Sequence, residues 1–472
     1  MVGSVSSVTS EELSRMPSTS FTEAMQGKAA GVQITTSSGV PGARTNVLIR
    51  GSSSINLSTS PLWIVDGMPI YSGGGLEKTI GSTSQDPMSL INMNDIESIQ
   101  VLKDAEATSI YGSRGSNGVV LITTKSGTAG KSTFNVNVSS GILKLGKDPE
   151  AIGFTNTSQW LSLVDRARAT SGLPPFDPFD IIKFFRDDPL ATLTREQAEK
   201  IDVNWFDQIL RRGSYQDVNV SGSGGTEKSN YFLSFNFNDT KGNPLKNFFR
   251  RYSARANLDF EPLDDLKLGT RLNFSYTNNN RVQQQVGGAT GNNQGGASAG
   301  FGNANRIALP WFPIYNSAHP SGYWNPMSGA NLVASIDDDH HFDEVEVYRG
   351  LGTFFAEYQV PFIEGFNIRS EASIDFIQNN SVFWVSETLR EDGSYAFDRA
   401  VTRTGINFNV YGNYNRVFAE DHSVALTFGS EWYMQQQYNR DKEGQNLTGT
   451  YKQFGQPADI LSVYAGLSGE EY

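Results

Sequence analysis

"NDIESIQVLKDAEATSIYGSRGSNGVVLITTK", residues Asn94–Lys125, is the stretch whose reading decides the fold. It opens on a strand, Ile96–Leu102, with Ile96, Ile99 and Val101 as its apolar positions. Asp104 reads as the N-cap of a short helix, Ala105–Tyr111, and Glu106 sits in the first turn, where an anion suits the helix dipole. Gly112 is a natural left-handed stop. A glycine-punctuated turn, Ser113–Gly118, leads to a second strand, Val119–Thr124, apolar and β-branched without strict alternation. Such a run suits burial on both faces. The unit is a small β-α-β fold with Arg114 held in its turn.

Upstream the pieces are similar in scale. Ser20 with Glu23 forms a capping-box pattern, and Phe21, Ala24 and Met25 give one apolar helix face. Gly31 ends that helix. Val32–Thr36 and Asn46–Arg50 read as strands around the Gly39–Gly42 turn. Leu62–Val65 is a short strand stopped by the turn dipeptide Asp66-Gly67, and Ser72–Ser89 is a Gly/Ser-rich loop. Together these make a compact mixed α/β domain of about 125 residues, a normal domain size.

Downstream, after a hinge at Ser126–Lys131, the period changes. Phe134, Val136 and Val138 alternate with polar neighbours. Residues 143–212 interrupt with helices expected at Ser158–Ala169, Arg195–Ile201 and Trp205–Leu210. From Tyr215 the alternation returns. Tyr231, Leu233, Phe235 and Phe237 share one side; in Tyr252–Phe260 the apolar phase alternates with Ser253, Arg255, Asn257 and Asp259. Leu266–Tyr276 repeats it. After a Gly/Asn/Gln-rich then aromatic stretch, 281–342, strands resume at about Glu346–Val360, Phe366–Gln378, Ser381–Leu389, Gly405–Phe418 and His422–Met434. Residues 435–472 carry no further strand pattern. Long two-sided strands joined alternately by short turns and long polar excursions are what a lipid-facing, water-filled barrel requires.

Four motifs of the first domain, in order, resemble the plug of TonB-dependent outer-membrane receptors, in the version found in the SusC/RagA family. They are "EAMQGKAAGVQI" (Glu23–Ile34), "IRGSSSIN" (Ile49–Asn56), "PLWIVDGMPI" (Pro61–Ile70) and the Asn94–Lys125 stretch. Asn204–Asp239 and Arg250–Phe260 resemble the first barrel strands of that family. The resemblance implies a small α/β plug domain over 1–127, followed over 131–472 by an antiparallel transmembrane β-barrel. About ten strands are legible where plugged transporters have about 22, so the chain is expected to be a fragment, with the export signal and TonB-contacting box upstream. The implied function is TonB-dependent import of oligosaccharide or oligopeptide across the cell outer membrane, with a SusD-like surface lipoprotein and TonB as partners. Such an importer is not an enzyme and needs no cofactor.

Composition agrees. The net charge of −12 argues against nucleic acid, and cysteine is absent. Mean hydropathy is −0.38, which does not exclude a membrane barrel, because only alternate residues face lipid. "GTAGKST" (Gly127–Thr133) fails as a phosphate loop, since the required first glycine falls at Lys125. "GASAG" (Gly296–Gly300) matches a nucleophile elbow but lies in low-complexity sequence. Asp337–His341 could meet Ca²⁺ or a transition metal, but no ligand spacing fits, and a solvated loop is the plainer reading.

Receptors of this class hold the plug by pairing plug arginines with glutamates of the inner barrel wall. Carried onto this chain, that gives a lock of Arg50 and Arg114 with Glu371 and Glu431. Outward plug loops would meet the solute, with Asn56, Tyr71 and Glu77 as contacts. Trp311, Tyr323 and Trp324 of the long loop would stack on a sugar or pack on a partner. Two rival readings stay open: a surface adhesin that does not transport, and a soluble glycan-binding β-sandwich whose aromatic faces would turn inward to a shared core.

Overall fold

The computed structural model describes residues 5–14, 18–36, 38–51, 59–73, 85–146, 155–178, 193–280, 308–324, 331–389, 393–418, 422–447 and 462–471. In the first domain, strands β1 (Val5–Thr9), β4 (Leu62–Val65), β5 (Met68–Ile70), β6 (Ile96–Leu102) and β7 (Val119–Thr124) form one sheet in the order β1-β6-β7-β4-β5. Only β4 and β7 run parallel within it. β2 (Val32–Thr36) and β3 (Thr45–Ile49) make a separate hairpin. The sheet buries Ile96, Ile99, Val101, Val120 and Ile122 against Phe21 and Met25, which flank the short helix α2 (Phe21–Ala24), and Trp63 meets Phe21 edge-on. α1 (Ser10–Ser14) follows β1.

Two local expectations are corrected. Asp104 makes no side-chain cap, because its carboxylate is 2.5 Å from Arg50. The helix therefore runs only over α3 (Ala105–Thr108) and tightens to a 3-10 turn, Ser109–Gly115, broken at Gly112 with φ 57°. Ser20 does cap α2, accepting from the Thr22 amide, but Glu23 accepts from Ser18 rather than closing the box.

The rest forms a ten-stranded antiparallel sheet in which each strand pairs with its successor. The strands are β8 (Gly130–Leu143), β9 (Gly213–Gly225), β10 (Ser229–Lys241), β11 (Phe248–Leu263), β12 (Leu266–Asn280), β13 (His341–Gln359), β14 (Phe366–Val385), β15 (Tyr395–Phe418), β16 (His422–Gln445) and β17 (Ser462–Glu471). The sheet is open among the described residues: β8 and β17 do not pair. Residues 381–385, expected to begin a separate strand, are the far end of β14. β17 and the last third of β16 were unexpected. The end of β16, Tyr438–Gln445, lacks an apolar phase and is decided by pairing along β15, from Phe418↔His422 to Tyr395↔Gln445, while β17, whose Val463, Ala465 and Leu467 do alternate, pairs on β16.

The alternation has a definite sense. Arg251, Ser253, Arg255 and Asn257 of β11 are buried toward the first domain, while Tyr252, Leu258 and Phe260 are exposed on the other face. β12 repeats this with Ser275 and Thr277 inside and Leu272 and Phe274 outside. Phe237, Tyr252, Tyr276 and Tyr348 lie directly opposite one another on four adjoining strands, with ring centroids 5.0, 6.3 and 4.8 Å apart. Two residues nearer the long loops, the same row reads Asp239, Arg250, Asn278 and Glu346. An apolar outer band edged by aromatic rings and then by charge is the exterior of a membrane barrel.

Above that band, the helices α4 (Thr157–Thr170), α5 (Arg195–Ala198) and α6 (Trp205–Ile209) pack on residues 308–324 and 331–332 around Trp205, Trp311, Phe312 and Trp324. The described parts of the helical excursion and of the long loop are thus one packed unit.

A charge in mid-band tests the assignment of the outer face. Leu272→Arg is expected to cost about 2–4 kcal/mol in urea unfolding of the complete receptor from phospholipid vesicles.

Candidate functional site

The inner face of the ten-stranded sheet, the wall, closes on the first domain, the plug, through many polar contacts and an apolar patch in which Leu90 meets Val345, Val347, Ile377 and Val401. Its centre is the irregular plug segment 85–95, two 3-10 turns (Pro87–Leu90 and Met93–Asp95) that leave backbone carbonyls without a ladder partner. Asp86 caps the first turn through the Met88 amide at 2.9 Å. The same buried carboxylate accepts from the hydroxyls of Ser20, Thr22 and Thr45 at 3.0, 2.8 and 2.5 Å. Four donors satisfy a charge that would otherwise be costly to bury. They also tie α2 and β3 to the segment.

From the other side the wall supplies donors. Arg251 Nη1 donates to the carbonyls of Thr19, Ser89 and Ile91 at 3.2, 2.7 and 3.3 Å. Arg349, fully buried, is bidentate to Asp375 at 3.0 and 2.8 Å and reaches the carbonyls of Pro87 (3.1 Å) and Tyr71 (3.3 Å). Arg255 lies 3.3 Å from Asp66 and 3.5 Å from Asp95, and donates to Thr124 Oγ1 at 3.2 Å. Asn257 donates to the Lys125 carbonyl, Ser234 to Asp95, Gln85 to Thr277, and Asn92 to Asn219. The chain leaves the plug close against the wall: a Cβ at Gly127 would stand 2.3 Å from the Tyr231 carbonyl oxygen.

Of the expected lock, the structure brings together one pair. Arg114 Nη2 is 3.0 Å from Glu431 Oε1, and its guanidinium lies 4.9 Å from the Tyr433 ring. Arg50 does not reach the wall. Its backbone is left-handed (φ 58°), and its side chain folds back on Asp104 and the Lys103 carbonyl. Glu371 is held by its strand neighbour Arg369 at 2.5 Å, so it has a cation without the plug.

The expected solute contacts fare differently. Asn56 and Glu77 lie outside the described residues. Tyr71 is engaged by the wall: its amide donates to Asp375 at 2.9 Å and its ring lies 3.7 Å from the Arg403 guanidinium. Trp311 and Trp324 are core residues of the helical unit, 0% and 3% exposed, so neither presents a stacking face; their rings pack on Phe312. Tyr323 donates to Asp337 at 2.7 Å. His341 and Asp343 are buried at the start of β13, while Asp338 and Asp339 of the same stretch are exposed, as a solvated loop requires. Among the described residues, no group of three or more His, Asp or Glu side chains could hold a metal ion.

Residues 1–119 match the family described as TonB-dependent Receptor Plug Domain. The chain is 31% identical over 443 residues to TonB-dependent receptor P26 of Formosa agariphila, covering 92% of this chain and 40% of that protein. It is 27% identical over 472 residues to TonB-dependent receptor SusC of Bacteroides thetaiotaomicron, covering 94% and 42%. It therefore spans about two fifths of the length of these curated relatives. Among solved structures, the RagAB peptide importer in its "closed-closed" state superposes with TM-score 0.75 at 22% identity, over 100% of this chain and 52% of that one. At that identity the likeness is one of fold.

Burial ranks the contacts. Arg349→Met strands the buried Asp375 carboxylate and should cost about 3–5 kcal/mol. Arg114→Ala breaks a pair 27% and 37% exposed and should cost less than about 1 kcal/mol. Urea melts of the complete receptor in vesicles measure both.

Proposed function

The chain belongs to the SusC/RagA type of TonB-dependent receptors, outer-membrane proteins, and from that premise we propose that its plug gates import of an oligosaccharide or oligopeptide. The observation that carries this reading is the contact between plug and wall. A wall whose β11 and β12 strands are apolar outside and polar inside faces a domain held by many buried hydrogen bonds and ion pairs beside one apolar patch around Leu90. Polar contacts exchange for water at small net cost, so a seat rich in them yields more readily than one of apolar packing throughout. On β11 and β12 the apolar phase faces away from the plug, which disfavours a soluble sandwich with a shared dry core.

In this reading a solute bound from the long-loop side acts together with a SusD-like surface lipoprotein. TonB, driven by the proton gradient, then pulls the plug from its seat. Both partners are proposed from kinship and act on the complete receptor. The segment 85–95 would take part in opening, since it joins α2 and β3 to the wall arginines through Asp86.

The test is uptake. Cells carrying the complete receptor should accumulate labelled oligosaccharide or oligopeptide, and deletion of tonB or collapse of the proton gradient should abolish it. Binding without uptake in cells that have TonB would favour a surface adhesin.

A further inference from the structure

Most described wall arginines carry their counter-charge with them. Arg349 pairs with Asp375, Arg271 with Asp259, Arg369 with Glu371 and Glu357, Arg250 with Asp239, and Arg399 with Asp441, all on the wall. Arg251 meets the wall residue Asn236, which also donates to the wall carboxylate Asp217. Arg255 differs. Among the described residues, both carboxylates in contact with it, Asp66 and Asp95, belong to the plug. The side chains of Arg255, Asp66 and Asp95 are 2%, 11% and 1% exposed.

The position of these partners adds a mechanical meaning. Asp66 follows directly on β4, Asp95 immediately precedes β6, and Thr124 ends β7. In the sheet, β6, β7 and β4 are consecutive neighbours. One guanidinium therefore touches the ends of three adjoining strands. Asp66 is also bonded to the Thr124 amide and hydroxyl at 2.9 and 2.7 Å, so it is fixed to the sheet and cannot follow the wall. Arg255 Nη1 donates to Asp66 at 3.3 Å, while the contact with Asp95 is one of charge: Nε and Nη2 make no hydrogen bond among the described residues.

We propose that Arg255 is the latch of the plug, the positioning residue whose separation from Asp66 and Asp95 sets the threshold at which the plug yields. Moving the plug leaves the Arg349 and Asp375 charges paired but separates Arg255 from both carboxylates, which travel with the plug. The Arg114–Glu431 pair also parts, yet it is half-exposed and already screened by water. The cost of opening is thus concentrated at one buried site.

The inference takes its biological sense from the import reading, but its test needs neither TonB nor a transported solute. In a tonB-deleted strain carrying the complete receptor, sensitivity to a bulky hydrophilic antibiotic reads spontaneous opening. Arg255→Gln should raise that sensitivity by at least about tenfold, because it strands two buried carboxylates. Arg271→Gln, whose counter-ion Asp259 is on the wall, should leave it near wild type. Adding Asp66→Asn and Asp95→Asn to Arg255→Gln should reverse most of the rise. Hydrogen exchange at Ile99, Val120 and Ile122 separates a latch from a scaffold. Protection unchanged in a leaky Arg255→Gln receptor supports the latch. Lost protection there, a tight Arg255→Gln receptor, or an equally leaky Arg271→Gln receptor overturns it.

Discussion

An irregular backbone buried inside a barrel has carbonyls that no ladder satisfies, and each must find a donor. In this chain the donors are guanidinium groups of the wall. Arg251 alone takes three carbonyls from two separate plug segments, at Thr19, Ser89 and Ile91. Arg349 takes two more, at Tyr71 and Pro87. Arginine offers five donors in a fixed planar fork, which suits one side chain to carbonyls arriving from several directions. Remove these groups and the segment 85–95 is left with unsatisfied backbone in a buried seam.

The same strands must meet the opposite demand on their other face. Period-two alternation lets β11 present Arg251, Ser253, Arg255 and Asn257 to the plug and Tyr252, Leu258 and Phe260 to the outside. A one-residue slip in register would send guanidinium groups into lipid and aromatic rings into the seam. Cross-strand pairing of Phe237, Tyr252, Tyr276 and Tyr348 keeps four strands in step at one height. Plug seating and membrane seating are therefore set by one register.

Much of this is legible in the residues. The 94–125 unit, the three helices of the excursion and the apolar phase of the strands follow from periodicity and turn chemistry. Arg255 stands on the polar phase of Tyr252–Phe260 in plain view, but its partners Asp66 and Asp95 are distant in sequence and join it only through the fold. The lock drawn by kinship puts arginines on the plug; here three buried ones stand on the wall, and of Arg50 and Arg114 it is Arg114 that meets an acid there. Arg50 misleads because a left-handed backbone turns it to Asp104, which in turn costs α3 its cap. Trp311 and Trp324 look like a stacking platform while their loop is read alone. The helices that bury them lie over a hundred residues earlier, and no local pattern reports that contact.

The central claim is that the plug sits within the wall and is held there by buried polar contacts that part on opening. Asn92 of the plug and Asn219 of β9 are both buried, and their side chains meet at 2.9 Å. These 472 residues hold no cysteine, so Asn92→Cys with Asn219→Cys in the complete receptor introduces the two thiols that pair here. The disulfide should form in untreated cells, abolish uptake, and release it on reduction. A folded receptor in which the pair does not cross-link, or one that imports at the wild-type rate while cross-linked, would contradict the account.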